Sequence, residues 1–111
     1  FKIAKGIAGF DIGQTVVVKD KSVLAVESIE GTDECIKRAY HLGGENAIVV
    51  KVAKPNQDFR FDVPVIGINT IDTLKNNKIR AMIIESDATL ILDKEEVIRK
   101  AKDLDVTIVA I

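Results

Sequence analysis

The chain has two prolines, one cysteine, one histidine, one methionine, one tyrosine and no tryptophan in 111 residues. Each scarcity excludes something. Cys35 has no second cysteine to pair with, which rules out an internal disulfide scaffold and fits a reducing, cytoplasmic setting. One cysteine and one histidine provide no Cys/His metal spacing. One tyrosine and four phenylalanines are too few for the base-stacking platform of a single-strand nucleic-acid binder. Sixteen basic and seventeen acidic side chains leave a net charge of -1, so nothing draws the chain generally toward nucleic acid or an anionic membrane. Nucleic acid is therefore not an expected partner, and any phosphate recognition has to be local. No apolar run approaches the ~20 residues that span a bilayer, and Phe1 to Phe10 is too short and too mixed for a secretory signal, which points to a soluble domain. Walker, GxGxxG and GxSxG signatures are missing as well. With Phe1 at its start and Met82 as its single methionine, the chain reads as a fragment of a longer protein.

What is present is 47% hydrophobic and 30% charged, enough for one compact domain with a real core and too short for two. Apolar positions Ile3, Ile7 and Phe10 mark a short first helix that Asp11 and Gly13 interrupt. The β-branched runs Thr15 to Val18 and Val23 to Val26, joined by a polar turn, predict a hairpin. Thr32 is the expected N-cap of a helix with Asp33 and Glu34 in its first turn and Ile36, Ala39 and Tyr40 as its apolar stripe, stopped by Gly43-Gly44. Ala47 to Val50 follows as a strand. Val65 to Ile68 is a short strand leading to a helix near Thr70 to Asn77, capped by Asn69 or Thr70. Ala81 to Glu85 and Thr89 to Leu92 read as strands, and Asp93 with Glu96 reads as a capping box opening a helix with Val97, Ile98, Ala101 and Leu104 inward. Val106 to Ile111 closes as a strand. The expected fold is α/β: a single domain with a mixed sheet, about three to four helices and at least one parallel crossover. Residues 15–52 and 81–111 share an element order, but only apolar positions match, so recurring βαβ connectivity explains the likeness better than duplication.

The isolated reactive residues have plain explanations. His41 lies in a last helical turn, where an imidazole interacts favourably with free carbonyls. Cys35 lies in a first turn with no histidine placed to activate it, so a buried, inert thiol is expected. Three clusters carry more. Asp11 to Gln14 sets a carboxylate and an amide at the hairpin entrance, where an Asx turn is an equally good account. Glu27, Glu30, Thr32 and Asp33 gather where a strand ends and a helix begins, suiting a metal-bound phosphate, although ordinary capping explains them when taken alone. The third is the segment from Lys51 to Gly67. Both prolines of the chain, Pro55 and Pro64, bias it toward an ordered loop, and it combines Lys51, Lys54 and Arg60 with Asp58, Asp62 and Gln57. Phosphoryl chemistry needs that mixture: cations for phosphate oxygens, and a carboxylate for Mg²⁺ or for the proton of an attacking water. Phe59 and Phe61 alternate with Arg60 and Asp62, which would align the charges along one face.

Asp11-Ile12-Gly13-Gln14, Ala25-Val26-Glu27, Glu30-Gly31-Thr32-Asp33, Lys51-Val52-Ala53-Lys54-Pro55, the run from Gln57 to Pro64, and Ile66-Gly67 occur in the order of a known pattern. Nearly the whole chain thereby resembles the C-terminal domain of the bacterial UDP-2,3-diacylglucosamine pyrophosphatases of the type unrelated to calcineurin-like phosphoesterases. The resemblance implies a two-domain enzyme of lipid A biosynthesis, of which this chain is the second domain and the N-terminal domain is the missing partner. It implies hydrolysis of UDP-2,3-diacylglucosamine, a lipid-linked nucleotide sugar, to UMP and 2,3-diacylglucosamine 1-phosphate with Mg²⁺ as cofactor. By position, Asp62 is then the leading catalytic carboxylate and Asp58 the second. Lys51, Lys54, Gln57, Arg60, Thr32 and Gln14 contact substrate, and Asp62, Glu30 and Asp33 are the expected metal ligands. A site shared between domains would leave the isolated domain weakly active or inactive. The resemblance also leaves room for a homodimer and for peripheral contact with the inner membrane. A non-catalytic nucleotide or sugar-phosphate binding module, or a structural domain, are the competing classes.

Overall fold

The structure, a computed structural model, describes residues 1–55 and 63–111. Its elements run α1 (Lys2–Ala8), β1 (Thr15–Lys19), β2 (Ser22–Val26), α2 (Thr32–His41), β3 (Ile48–Lys51), β4 (Val65–Ile66), α3 (Ile68–Asn76), β5 (Ala81–Ile84), β6 (Leu90–Ile91), α4 (Lys94–Asp103) and β7 (Thr107–Ala110). Among the described residues five strands form a mixed sheet in the order β2-β1-β3-β5-β7. β1 is antiparallel to both β2 and β3, while β3, β5 and β7 run parallel, joined by crossovers through α3 and α4. The expected α/β domain with a mixed sheet is what forms, with four helices among the described residues.

Alternation along the strands divides the core between the two sheet faces. Val17, Val49 and Met82 lie under α2, α3 and α4, packed with Ile36, Ala39, Ile71, Leu74 and Val97. Val16, Val50 and Val52 face the other way and meet α1 through Ala4 and Ala8. The small residues of α1 let that short helix sit close to the strands. One helix covers only part of its face, and Ile48 and Val109 stay partly exposed.

Several local expectations are corrected in detail. The residue preceding α2 is Gly31, so Thr32 is the first helical residue rather than the cap, which frees its hydroxyl to turn inward. α3 begins after Gly67 instead of at Asn69 or Thr70, and the Thr70 hydroxyl accepts the Gly67 N–H at 3.1 Å. Asp93 adopts a left-handed conformation and makes no side-chain cap bond, so the Asp93/Glu96 capping box does not form; Glu96 pairs with Arg99 instead. Ile98, expected inward, is half exposed. The strand read at residues 89–92 leaves the main sheet: β6 pairs in parallel with β4 as a separate two-stranded sheet. β1 and β2 form a hairpin whereas β5 and β6 do not pair, so the likeness between residues 15–52 and 81–111 ends at element order.

The Gly43-Gly44 stop is a Schellman ending. Gly43 takes φ +92°, its N–H reaches Tyr40 O at 3.1 Å, and the Gly44 N–H reaches Ala39 O at 2.9 Å. That geometry ends α2 and turns the chain toward β3.

Candidate functional site at the carboxyl edge of β3

Lys51 is the last residue of β3 and lies directly across from Thr15 of β1. Both side chains turn under the three-helix layer, where Thr15 is fully buried and Lys51 is 9% exposed. A lysine in that place must find acceptors. Its Nζ donates to Thr32 Oγ1 at 3.0 Å and to Val65 O at 3.0 Å, and the Thr15 and Thr32 hydroxyls lie 3.2 Å apart. Burial pushes the Lys51 ammonium below its ordinary pKa, while the carboxylates of Glu27 and Asp33 act in the opposite direction. Glu27 Oε2 is buried and has no hydrogen-bond partner among the described residues. The end of β3, the start of α2 and the start of β4 are thus joined through one cation, with acidic groups beside it.

The Asp11 to Gln14 turn borders the same edge. A side chain at Gly13 would drive into the Glu27 carbonyl, so this glycine allows the turn to lie against the end of β2. Gln14 O accepts the Val52 N–H at 2.9 Å, extending the β1–β3 pairing by a step, and Asp11 Oδ1 stands 2.6 Å from Lys54 Nζ. Two of the segments singled out in the sequence, residues 11–14 and 51–55, therefore meet in space.

Glu30 and Asp33 flank this edge differently. Glu30 bonds Arg38 Nη2 at 2.5 Å and the Ser28 hydroxyl at 3.0 Å, and the Arg38 guanidinium beside it is the chief reason its carboxyl is held down to about 2. Asp33 is exposed in the first turn of α2. Cys35 is buried, and desolvation raises its thiol to about 11, the inert state expected of it. His41 stands exposed at the end of α2 with its ring edge-on to Tyr40. Of the sequence-predicted residues, Lys51 and Thr32 are in contact, while Gln14 and Lys54 border them through the backbone of residues 52–54. Gln57, Asp58, Arg60 and Asp62 lie outside the described residues, as do Phe59 and Phe61. Among the described residues no group of three His, Cys, Asp or Glu side chains is arranged to hold a metal ion.

Sequence reasoning missed Thr15, Lys5 and Glu85. Glu85 follows the apolar strand β5 just as Lys51 ends β3, and a charge directly at the carboxyl end of a buried parallel strand is the signal that would have found it. Its Oε2 accepts the Ala53 N–H at 2.8 Å, and Lys5 Nζ, from α1, reaches both Glu85 oxygens at 3.1 Å and Ala53 O at 2.9 Å.

The family model described as the LpxI C-terminal domain matches residues 1–109. A curated relative, the UDP-2,3-diacylglucosamine pyrophosphatase LpxI of Caulobacter vibrioides, is 33% identical over 98% of this chain. The chain spans 42% of that relative's length.

Proposed function

Since the chain belongs to the LpxI C-terminal domain family, we propose that it is the phosphate-handling part of an enzyme that hydrolyses UDP-2,3-diacylglucosamine in lipid A biosynthesis. In that reaction a water oxygen bonds to one phosphorus of the diphosphate, the bridging P–O bond on that phosphorus breaks, and UMP and 2,3-diacylglucosamine 1-phosphate leave. The observation carrying the proposal is the Lys51–Thr32 contact beneath the carboxyl edge of β3, with Lys54 on the adjoining segment. It sets cationic and hydroxyl groups where open α/β sheets bind ligands.

Asp62 is the proposed catalytic carboxylate, orienting the attacking water, with Asp58 as the second. Lys51, Lys54 and Arg60 neutralise phosphate oxygens, and Gln14, Gln57 and Thr32 make polar contacts to substrate. Mg²⁺ belongs to the proposal as cofactor, and Asp62 and Asp33 would hold it; Glu30, the third expected ligand, has its carboxylate engaged by Arg38 and Ser28 in this structure. The described residues alone do not compose its site, so every role given above is one of the chain's own groups; a bound Mg²⁺ would screen diphosphate charge. Phe10, Ile12 and Ile29, well exposed on the two turns beside this edge, would give acyl chains an apolar border. Among the described residues no helix is long and apolar enough to cross a membrane, and we place the contact with lipid at the surface of the bilayer, from the cytoplasmic side.

The test is turnover of purified full-length protein on UDP-2,3-diacylglucosamine, followed by release of UMP. The proposal expects Mg²⁺-dependent product that EDTA abolishes and added Mg²⁺ restores. Tight binding of the nucleotide with no product under any metal condition would identify a binding module instead.

A further inference from the structure

The backbone that leaves β3 is held with unusual completeness. Lys51 O accepts the Glu85 N–H at 3.2 Å, the Val52 N–H goes to Gln14 O, and the Ala53 N–H and C=O are both taken by side chains, those of Glu85 and Lys5. Lys5 and Glu85 also bond each other. Both are largely sequestered, at 29% and 21% side-chain exposure, between α1 and the end of β5. A half-buried ion pair is an inefficient way to gain stability, because much of its Coulomb attraction is offset by desolvation, and apolar side chains of the same size fill such a place as well. What this pair does that apolar groups cannot is bind both backbone polar atoms of one residue, the N–H of the peptide before it and the C=O of the peptide after it, fixing its position and orientation. The residue so fixed, Ala53, lies between Lys51 and Lys54.

We propose that Lys5 and Glu85 are positioning residues: they clamp the Ala53 backbone so that Lys54 leaves the sheet in the one direction that brings it, together with Lys51, onto the anionic substrate. This inference rests on the function proposed above. It gives a catalytic consequence to two residues that touch neither substrate nor reacting atoms. Lys5 stands on a helix across the sheet from α2, α3 and α4, so the clamp also makes α1 part of the site's support.

The experiment compares Lys5→Met, Glu85→Gln and the double variant in the full-length protein, with Lys100→Met as a control. Lys100 bonds Asp72 across α3 and α4 at 2.6 Å, away from the site. Each single clamp variant is expected to lose about tenfold in turnover for a few degrees of melting temperature, with the double variant little worse than either single because the pair acts as one unit. Lys5→Arg restores most of the turnover, and Lys100→Met keeps wild-type turnover despite its own stability loss. Clamp variants that melt earlier yet turn over at the wild-type rate overturn the proposal, as does a Lys100→Met variant that loses turnover in proportion to its stability. Hydrogen exchange at Ala53 separates this proposal from the functional one. If the wild-type protein hydrolyses nothing, the function falls, and the clamp is judged by whether Glu85→Gln and Lys5→Met selectively expose the Ala53 amide; an amide as protected as in wild type overturns it.

Discussion

Lys51 carries a charge into a layer of isoleucine, leucine and valine, and two oxygens, one from Thr32 and one from Val65, meet it there. Because burial lowers its folded-state pKa, the unfolded chain binds more protons than the folded one between that lowered value and the ordinary lysine value of 10.5. Stability from this group therefore rises with pH through that window and does not change below it. Lys51→Met, which keeps the length and loses the donors, is expected to destabilise the protein by about 1–3 kcal/mol at neutral pH. Denaturant unfolding from pH 7 to pH 10.5 should show the gap between wild type and variant widening; a gap that narrows would mean that Lys51 is favoured as the cation in the fold. The importance of Lys51 was legible in the sequence as a charge ending an apolar run. Its partners were not. Thr32 read as a cap, and only the placement of Gly31 before the helix turned that hydroxyl toward Lys51. Thr15 read as an ordinary β-branched strand residue, because strand pairing, which is non-local, is what sets it opposite Lys51.

At the scale of elements, the β2–α2 connection is held onto its own helix by Arg38, which bonds Val26 O at 2.8 Å and Glu30 at 2.5 Å. Glu30 titrates at about 2 in the fold against 4.5 for the free group. The stabilisation it provides is complete above pH 4.5 and is lost as pH falls through about 2. Replacing Arg38 with Gln should flatten the acid limb of the melting-temperature profile between those values while leaving the profile above pH 5 parallel to wild type. An unchanged acid limb would assign that dependence to other carboxylates. Element types were readable because periodicity and turn chemistry are local: the hairpin, the Gly43-Gly44 stop and the four helices of the described residues fall close to where the pattern puts them. Sheet membership was not. β6 has the composition of a main-sheet strand, and it pairs with β4 because residues 63–66 pass beside it, with Leu90 N–H on Pro64 O and Leu92 N–H on Ile66 O. Likewise the left-handed Asp93 defeats a capping pattern that the residue types alone satisfy.

For the molecule as a whole, three segments far apart in sequence, residues 11–14, 27–33 and 51–55, arrive at one edge of the sheet, and β5 and α1 brace that edge through Glu85 and Lys5. The family resemblance was visible in the motifs of those segments, and the match over residues 1–109 to the LpxI C-terminal domain bears it out. Physical reading of the residues alone reached phosphate binding and no further, because diphosphate, nucleotide and acyl groups leave no separate signature in so short a chain. The chain covers 42% of its Caulobacter relative, so the proposed activity has to be measured in full-length protein. The central claim is that this domain supplies the carboxylate for diphosphate hydrolysis, and Asp62→Asn tests it most directly. Release of UMP from UDP-2,3-diacylglucosamine should fall by about a hundredfold or more, with the melting temperature within a few degrees of wild type. Wild-type turnover by a folded Asp62→Asn protein would contradict the account.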